Sequence, residues 1–143
     1  MPFKVDANYM HKHKPEVGGY AIGGWVGSWE LWQEPFRTLS QSWHTVAFDH
    51  RGCGATQAPL ESITVSHMVA DIFAVMDQLG IERCVLAAES AGVAIALQAA
   101  LTRPERFDGL VCVAGLYHRE SEDEADPFLV SLRHYYEATL DQF

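Results

Sequence analysis

Basic residues are scarce in this chain: 10 Lys and Arg stand against 19 Asp and Glu, a formal net charge of -9. Nucleic acid presents phosphates that need a basic surface, so a nucleic-acid partner is not expected. An anionic membrane surface is excluded on the same ground. Cysteine is scarce too. Cys53, Cys84 and Cys112 are an odd count with no C-x-x-C spacing, which fits neither a disulfide framework nor a structural metal site. Cys84 and Cys112 lie in or beside apolar runs and read as small buried hydrophobes. No run approaches the roughly 20 apolar residues of a membrane span. The first 15 residues are polar and rich in His and Lys, unlike a secretion signal, so a reducing cytoplasm is the expected compartment. The pair His11 and His13 has no nearby carboxylate or cysteine and reads as a solvated segment, so no metal and no cofactor are expected.

What is present is an ordinary globular composition, 48% hydrophobic and 20% charged over 143 residues, enough for one domain with a buried core. After a weakly patterned start, with a short strand near residues 3–5, strand-like and helix-like segments alternate. Strands are expected at 19–23, 44–48, 84–88 and 110–114, each short and nearly continuously apolar. Helical spacing is expected over 29–41, 66–79, 91–102 and 129–140, with Gly80 as a C-cap; Pro35 either kinks the first helix or marks a late start. Residues 49–59 hold turn formers and read as a loop. The acidic cluster Glu120, Glu122, Asp123, Glu124 and Asp126 reads as a solvated loop. Apolar strands alternating with helices mean an α/β fold, a mostly parallel sheet covered by helices on both faces.

Chemistry is concentrated at Ala88-Glu89-Ser90-Ala91-Gly92, between the third strand and the helix that follows it. A serine on a sharp strand-to-helix turn projects its hydroxyl above the sheet, and small residues two before and two after let the turn close. The next backbone N–H, from Ala91, and the positive end of the helix would face the oxygen of an attacked carbonyl. The same five residues also describe a helix N-cap serine. A second element, Gly23-Gly24-Trp25-Val26-Gly27-Ser28, follows the first strand directly. It reads either as a loop that exposes backbone N–H groups or as an ordinary strand-to-helix connection.

Three segments in fixed order resemble the α/β-hydrolases: the glycine loop at 23–28, Asp49-x-Arg51-Gly52-x-Gly54 after the next strand, and the serine elbow at 88–92. The resemblance runs from about Gly18 to the C-terminus. It implies a truncated α/β-hydrolase core over 1–117, with four parallel strands in the family order 4-3-5-6, and the start of a cap region at 118–143. It further implies Ser90 as nucleophile, backbone N–H groups of Trp25 and Ala91 as an oxyanion hole, and Gly24 and Gly92 as loop and elbow glycines. The loop at 49–54 is structural in the family. A serine nucleophile points away from the epoxide and haloalkane branch, which uses aspartate there, and toward a small carboxylic ester or lactone cleaved through an acyl-enzyme.

The chain departs from the family in three places: the His before the oxyanion glycine is Gly23, the first two strands of the family sheet look compressed into 1–17, and the strands that usually precede the acid and histidine do not follow residue 114. Of seven histidines, His118, just after the fourth strand, leaves the sheet near the elbow, with Glu120 or Asp123 to orient it; its alternative is a solvent-facing loop position. Glu89 is expected at the substrate pocket or the loop around Trp25. Two functional readings stay open: a serine hydrolase, and a catalytically incomplete hydrolase fold that binds or self-associates through an exposed sheet edge, giving a homo-oligomer. A nucleotide-binding domain ranks below both, because neither G-x-G-x-x-G nor a P-loop lysine is present.

Overall fold

The structure, a computed structural model, describes residues 18–23 and 27–115. The expected strand at 3–5, His11 and His13, Gly24, Trp25, the acidic cluster, His118, the cap segment and its helix at 129–140 lie outside the described residues.

Four strands form one parallel sheet: β1 (Gly18–Ile22), β2 (His44–Ala47), β3 (Cys84–Glu89) and β4 (Phe107–Val113), in the spatial order β2-β1-β3-β4. This is the expected family order. β1 is central. Ala21 pairs with Ala47 on one side and with Ala87 on the other, and Ile22 pairs with Ala88. Three α-helices connect the strands: α1 (Gln33–Leu39), α2 (Val65–Gln78) and α3 (Gly92–Thr102).

The chain moves from β1 outward to β2, then back across β1 to β3 and on to β4. Right-handed crossovers therefore require α1 on one face and α2 and α3 on the other. The packing agrees. Ile22, Val46, Leu86 and Ala88 join Ile72, Met76, Val93 and Ala96 in one core cluster; Ala21, Ala47 and Ala87 join Trp32 and Phe36 of the α1 side in a second. Successive strand residues point to opposite faces, so β1, β2 and β3 each feed both clusters, while β4 feeds the first through Phe107 and Leu110. Three alanines in register on the α1 face leave room for Trp32 and Phe36, whose rings stand 5.9 Å apart and tilted 42° to each other.

Local signals set the helix ends. The Thr64 hydroxyl accepts from the His67 N–H at 3.3 Å and caps α2. Gly80, at φ +67°, ends it, with Ile81 N–H donating to the Met76 carbonyl at 2.8 Å. The segment from Trp29 begins as a 3-10 turn (Trp29–Trp32) and becomes α-helical only at Gln33, so Pro35 sits in the first α-turn, where its missing N–H costs nothing.

Two expectations need correction. β4 begins at Phe107, three residues before the apolar run, because pairing of Cys84 with Phe107 and of Val85 with Gly109 carries Asp108 and Gly109 into the strand across a register shift. Cys112 is exposed, not buried. β4 pairs only with β3 among the described strands, and Val111 and Val113 on it are about half exposed as well, at 47% and 45%.

Candidate active site

Adjacent strands β1 and β3 are followed by helices on opposite faces of the sheet. A crevice opens at the carboxyl ends of such a strand pair, where open α/β sheets bind ligands. Gly23 leaves β1 there, and Ser90 leaves β3.

Ser90 has φ +50°, in the left-handed region that a residue with a β-carbon seldom adopts. Such a conformation costs on the order of 1–3 kcal/mol and persists only where the surroundings impose it. Here the surroundings are identifiable. The Ser90 N–H donates to the Val113 carbonyl at the end of β4, 2.9 Å away, and its own carbonyl accepts from the Val93 N–H at 3.1 Å. The turn is thus pinned to β4 behind it and to α3 ahead of it. The cap position of α3 falls to Ala91, which is already in the helical region and makes no side-chain cap. Ser90 is therefore the last non-helical residue before α3, and its place is that of an N-cap as well as that of an elbow serine.

Gly92 is buried against the other strand end: a β-carbon there would stand 2.5 Å from the Gly23 carbonyl oxygen. Only glycine lets the two backbones approach this closely. Ala91 is exposed, and its N–H belongs to the first turn of an 11-residue helix, where unpaired N–H groups carry partial positive charge. Glu89 is half-buried and pairs with Val113; by strand alternation it shares the α1 face with Ala87.

The loop after β2 braces this crevice from the side. Asp49, 3% exposed, accepts from Trp29 N–H at Oδ1 and from Ala55 N–H at Oδ2, both at 2.9 Å. One carboxylate so ties the start of the 3-10 turn to the far end of its own loop. Gly54, at φ +50°, lies so close to that carboxylate that a β-carbon would overlap it. Arg51 forms a two-pronged pair with Asp71 on α2, at 2.6 and 2.5 Å, and a third bond to the Ser62 carbonyl at 3.2 Å. Hydrogen bonding to Asp71 raises the Arg51 pKa further, against the opposing effect of burial.

The residue between them, His50, was not singled out by sequence. Its ring is 1% exposed, and Nε2 lies 3.2 Å from the Gly23 carbonyl oxygen. Burial lowers its pKa; the Gly23 carbonyl, Asp71 and Asp49 pull more weakly the other way. A neutral imidazole with the proton on Nε2 fits this pairing, because a carbonyl can only accept. His44 begins β2 at the opposite end of the sheet, and His67 lies on the first turn of α2 with Nδ1 3.0 Å from the Ser62 carbonyl. Among the described residues no three His, Cys, Asp or Glu side chains converge as a metal site, and no helix is long and apolar enough to cross a membrane.

A family model described as the alpha/beta hydrolase fold matches residues 21–143. The chain belongs to the α/β-hydrolase fold family. It is 34% identical over 116 residues to a protein of Caulobacter vibrioides provisionally named carbamate hydrolase RutD, covering 78% of this chain and 43% of that one. Among solved structures, epoxide hydrolase VrEH1 from Vigna radiata superposes with a TM-score of 0.68 at 29% identity, over 83% of this chain and 38% of that one. The enol-lactonase from Burkholderia xenovorans LB400 superposes with a TM-score of 0.81 at 19% identity, over 99% of this chain and 53% of that one. The last likeness speaks to the fold alone. The chain spans less than half the length of the curated relatives it matches. Of the α/β-hydrolase features expected from sequence, the described residues bring Gly23 and the segment Ser90, Ala91 and Gly92 together at the carboxyl ends of β1 and β3.

Proposed function

We propose that the chain carries the nucleophile half of a serine hydrolase that cleaves a small carboxylic ester or lactone through an acyl-enzyme. The observation that carries this reading is Ser90 held at φ +50° on the turn between β3 and α3. Strain kept at a solvent-accessible crevice fits a side chain aimed at a reactant better than one that serves packing. In the reaction the Ser90 Oγ bonds to the carbonyl carbon and its proton passes to a base. The carbonyl oxygen takes the negative charge toward the Ala91 N–H and the end of α3, and the alcohol leaves with the proton. Water then releases the acid and restores Ser90. Trp25 is the proposed second oxyanion donor, with His118 the candidate base and Glu89 a wall of the pocket. The names of two relatives, a carbamate hydrolase and an epoxide hydrolase, support attack at an electrophilic carbon. Serine at the elbow favours the acyl substrates among these, since the epoxide branch resembles it with aspartate in that place. A screen of short acyl esters and lactones tests the reading: turnover that disappears in Ser90→Ala supports it, and turnover that persists in Ser90→Ala rejects it.

The outer edge of β4 favours a second reading, that of a catalytically incomplete fold that pairs with a second copy of itself. Val111, Cys112 and Val113 are exposed on β4, which is an edge among the described strands and so a template for strand addition. Sedimentation equilibrium of a folded but inactive sample distinguishes the two, a dimer supporting the second reading and an inactive monomer removing it.

A further inference from the structure

The family histidine that precedes the oxyanion glycine is absent at Gly23, yet the Gly23 carbonyl receives an imidazole from elsewhere. We propose that His50 is a positioning residue for Ser90, acting through that carbonyl; the proposal rests on the reading of Ser90 as nucleophile. Three contacts form the link. His50 Nε2–H donates to the Gly23 oxygen at 3.2 Å. The same oxygen lies against the α-carbon of Gly92, where no β-carbon fits. Gly92 is two residues from Ser90 in a turn of only Ser90 and Ala91.

A carbonyl oxygen facing a neighbouring backbone has two ways to relieve the approach: the peptide plane rotates, or something holds it. His50 holds it. Its ring has little freedom, being 1% exposed and packed edge-on against Phe48 with centroids 5.5 Å apart. The imidazole is also poorly justified as plain core. Nδ1 is buried with no hydrogen-bond partner, a desolvation cost that a leucine of similar volume would not carry. A buried polar group retained despite one unsatisfied atom calls for a task at the other. Here the other atom is the donor to Gly23. Held this way, Gly23 forms the wall against which α3 starts, and the wall fixes the backbone angles that aim the Ser90 hydroxyl.

Two variants of the full chain separate positioning from packing. The amide nitrogen of His50→Gln reaches nearly the place of imidazole Nε2, whereas His50→Leu fills the volume and donates nothing. The first readout is the rate of fluorophosphonate labelling at Ser90. His50→Leu is expected to slow it about tenfold or more, as for the loss of one oriented hydrogen bond, while His50→Gln recovers most of the rate. The second readout is amide hydrogen exchange at Ser90 and Val93, which report the turn directly and need no catalysis. Their exchange is expected to quicken in His50→Leu and to stay near the wild-type rate in His50→Gln, at equal melting temperatures or not. Wild-type exchange at both amides in His50→Leu would overturn the proposal, as would equal losses in the two variants. An unlabelled wild type whose exchange pattern still follows the donor would instead reject the nucleophile reading and keep the link from His50 to the turn.

Discussion

A β-carbon on Gly92 would stand 2.5 Å from the carbonyl oxygen of Gly23. Gly23 directly follows β1 and Gly92 opens α3, so this approach sets how closely the start of α3 sits against the end of β1. A glycine-to-alanine change in a helix ordinarily stabilises it by up to about 1 kcal/mol. At Gly92 the expected sign is reversed. The obstructing atom is backbone rather than a movable side chain, and Gly92→Ala is expected to lose about 2 kcal/mol, in the range of overpacked cores. Urea denaturation checks this. A Gly92→Ala protein as stable as wild type would mean that the two backbones separate freely.

Strain at Ser90 gives a second test. A left-handed residue with a β-carbon costs roughly 1–2 kcal/mol relative to glycine, while glycine adds about 0.5–1 kcal/mol of entropy to the unfolded chain. Ser90→Gly is therefore expected to be slightly more stable than wild type. Ser90→Ala keeps the β-carbon and the strain and is expected to show no such gain. Both remove the hydroxyl. The comparison by denaturant midpoint isolates backbone strain from the loss of the side chain, and a Ser90→Gly protein less stable than Ser90→Ala contradicts the strained turn.

The buried His50 makes stability depend on pH in a definite direction. Burial lowers its pKa below the ordinary 6.5, opposed by the Gly23 carbonyl and the Asp71 and Asp49 carboxylates. Below pH 6.5 the unfolded chain takes up a proton that the folded chain does not. Stability from this group is therefore complete above that pH and falls as pH drops toward the lowered folded value. His50→Gln removes that contribution and leaves the carboxylates in place. The drop in melting temperature between pH 7.5 and 5.5 is expected to be smaller in His50→Gln; equal drops would show that the ring is not held neutral.

The thiols sort by place in the sheet. Cys84, buried in the first position of β3, has its pKa pushed up to about 12 by burial and by Asp108, with Arg106 opposing. Cys53 is raised more modestly by half-burial and Asp49. Exposed Cys112 is expected to react first with iodoacetamide at pH 7.5, Cys53 slowly, and Cys84 only after unfolding. Mass spectrometry of the peptides reads the order, and modification of Cys84 ahead of Cys112 contradicts the burial of Cys84 and the exposure of Cys112.

Cys112 also marks where sequence reading stops. An apolar run such as 110–114 says that a strand forms but not which of its neighbours cover it, so an exposed residue in a buried-looking run is misread. The start of β4 was hidden for a related reason: Asp108 and Gly109 disfavour strands locally, and pairing with β3 overrides them. The strands and the serine turn were legible because they rest on local patterns, short apolar runs and small residues around Ser90, whereas the sheet order was implied by the resemblance to the α/β-hydrolases. His50 was not, because its role arises from a contact 27 residues away in sequence. Its one trace is a polar aromatic residue between the structural Asp49 and Arg51, a position where local chemistry imposes no type.

The proposed function stands on an activated Ser90 hydroxyl, and fluorophosphonate labelling read by mass spectrometry detects that activation directly. Stoichiometric labelling of Ser90 in the folded protein, absent in Ser90→Ala, is the expected result. A folded protein that takes up no label at Ser90, or takes it up equally after Ser90→Ala, would contradict it.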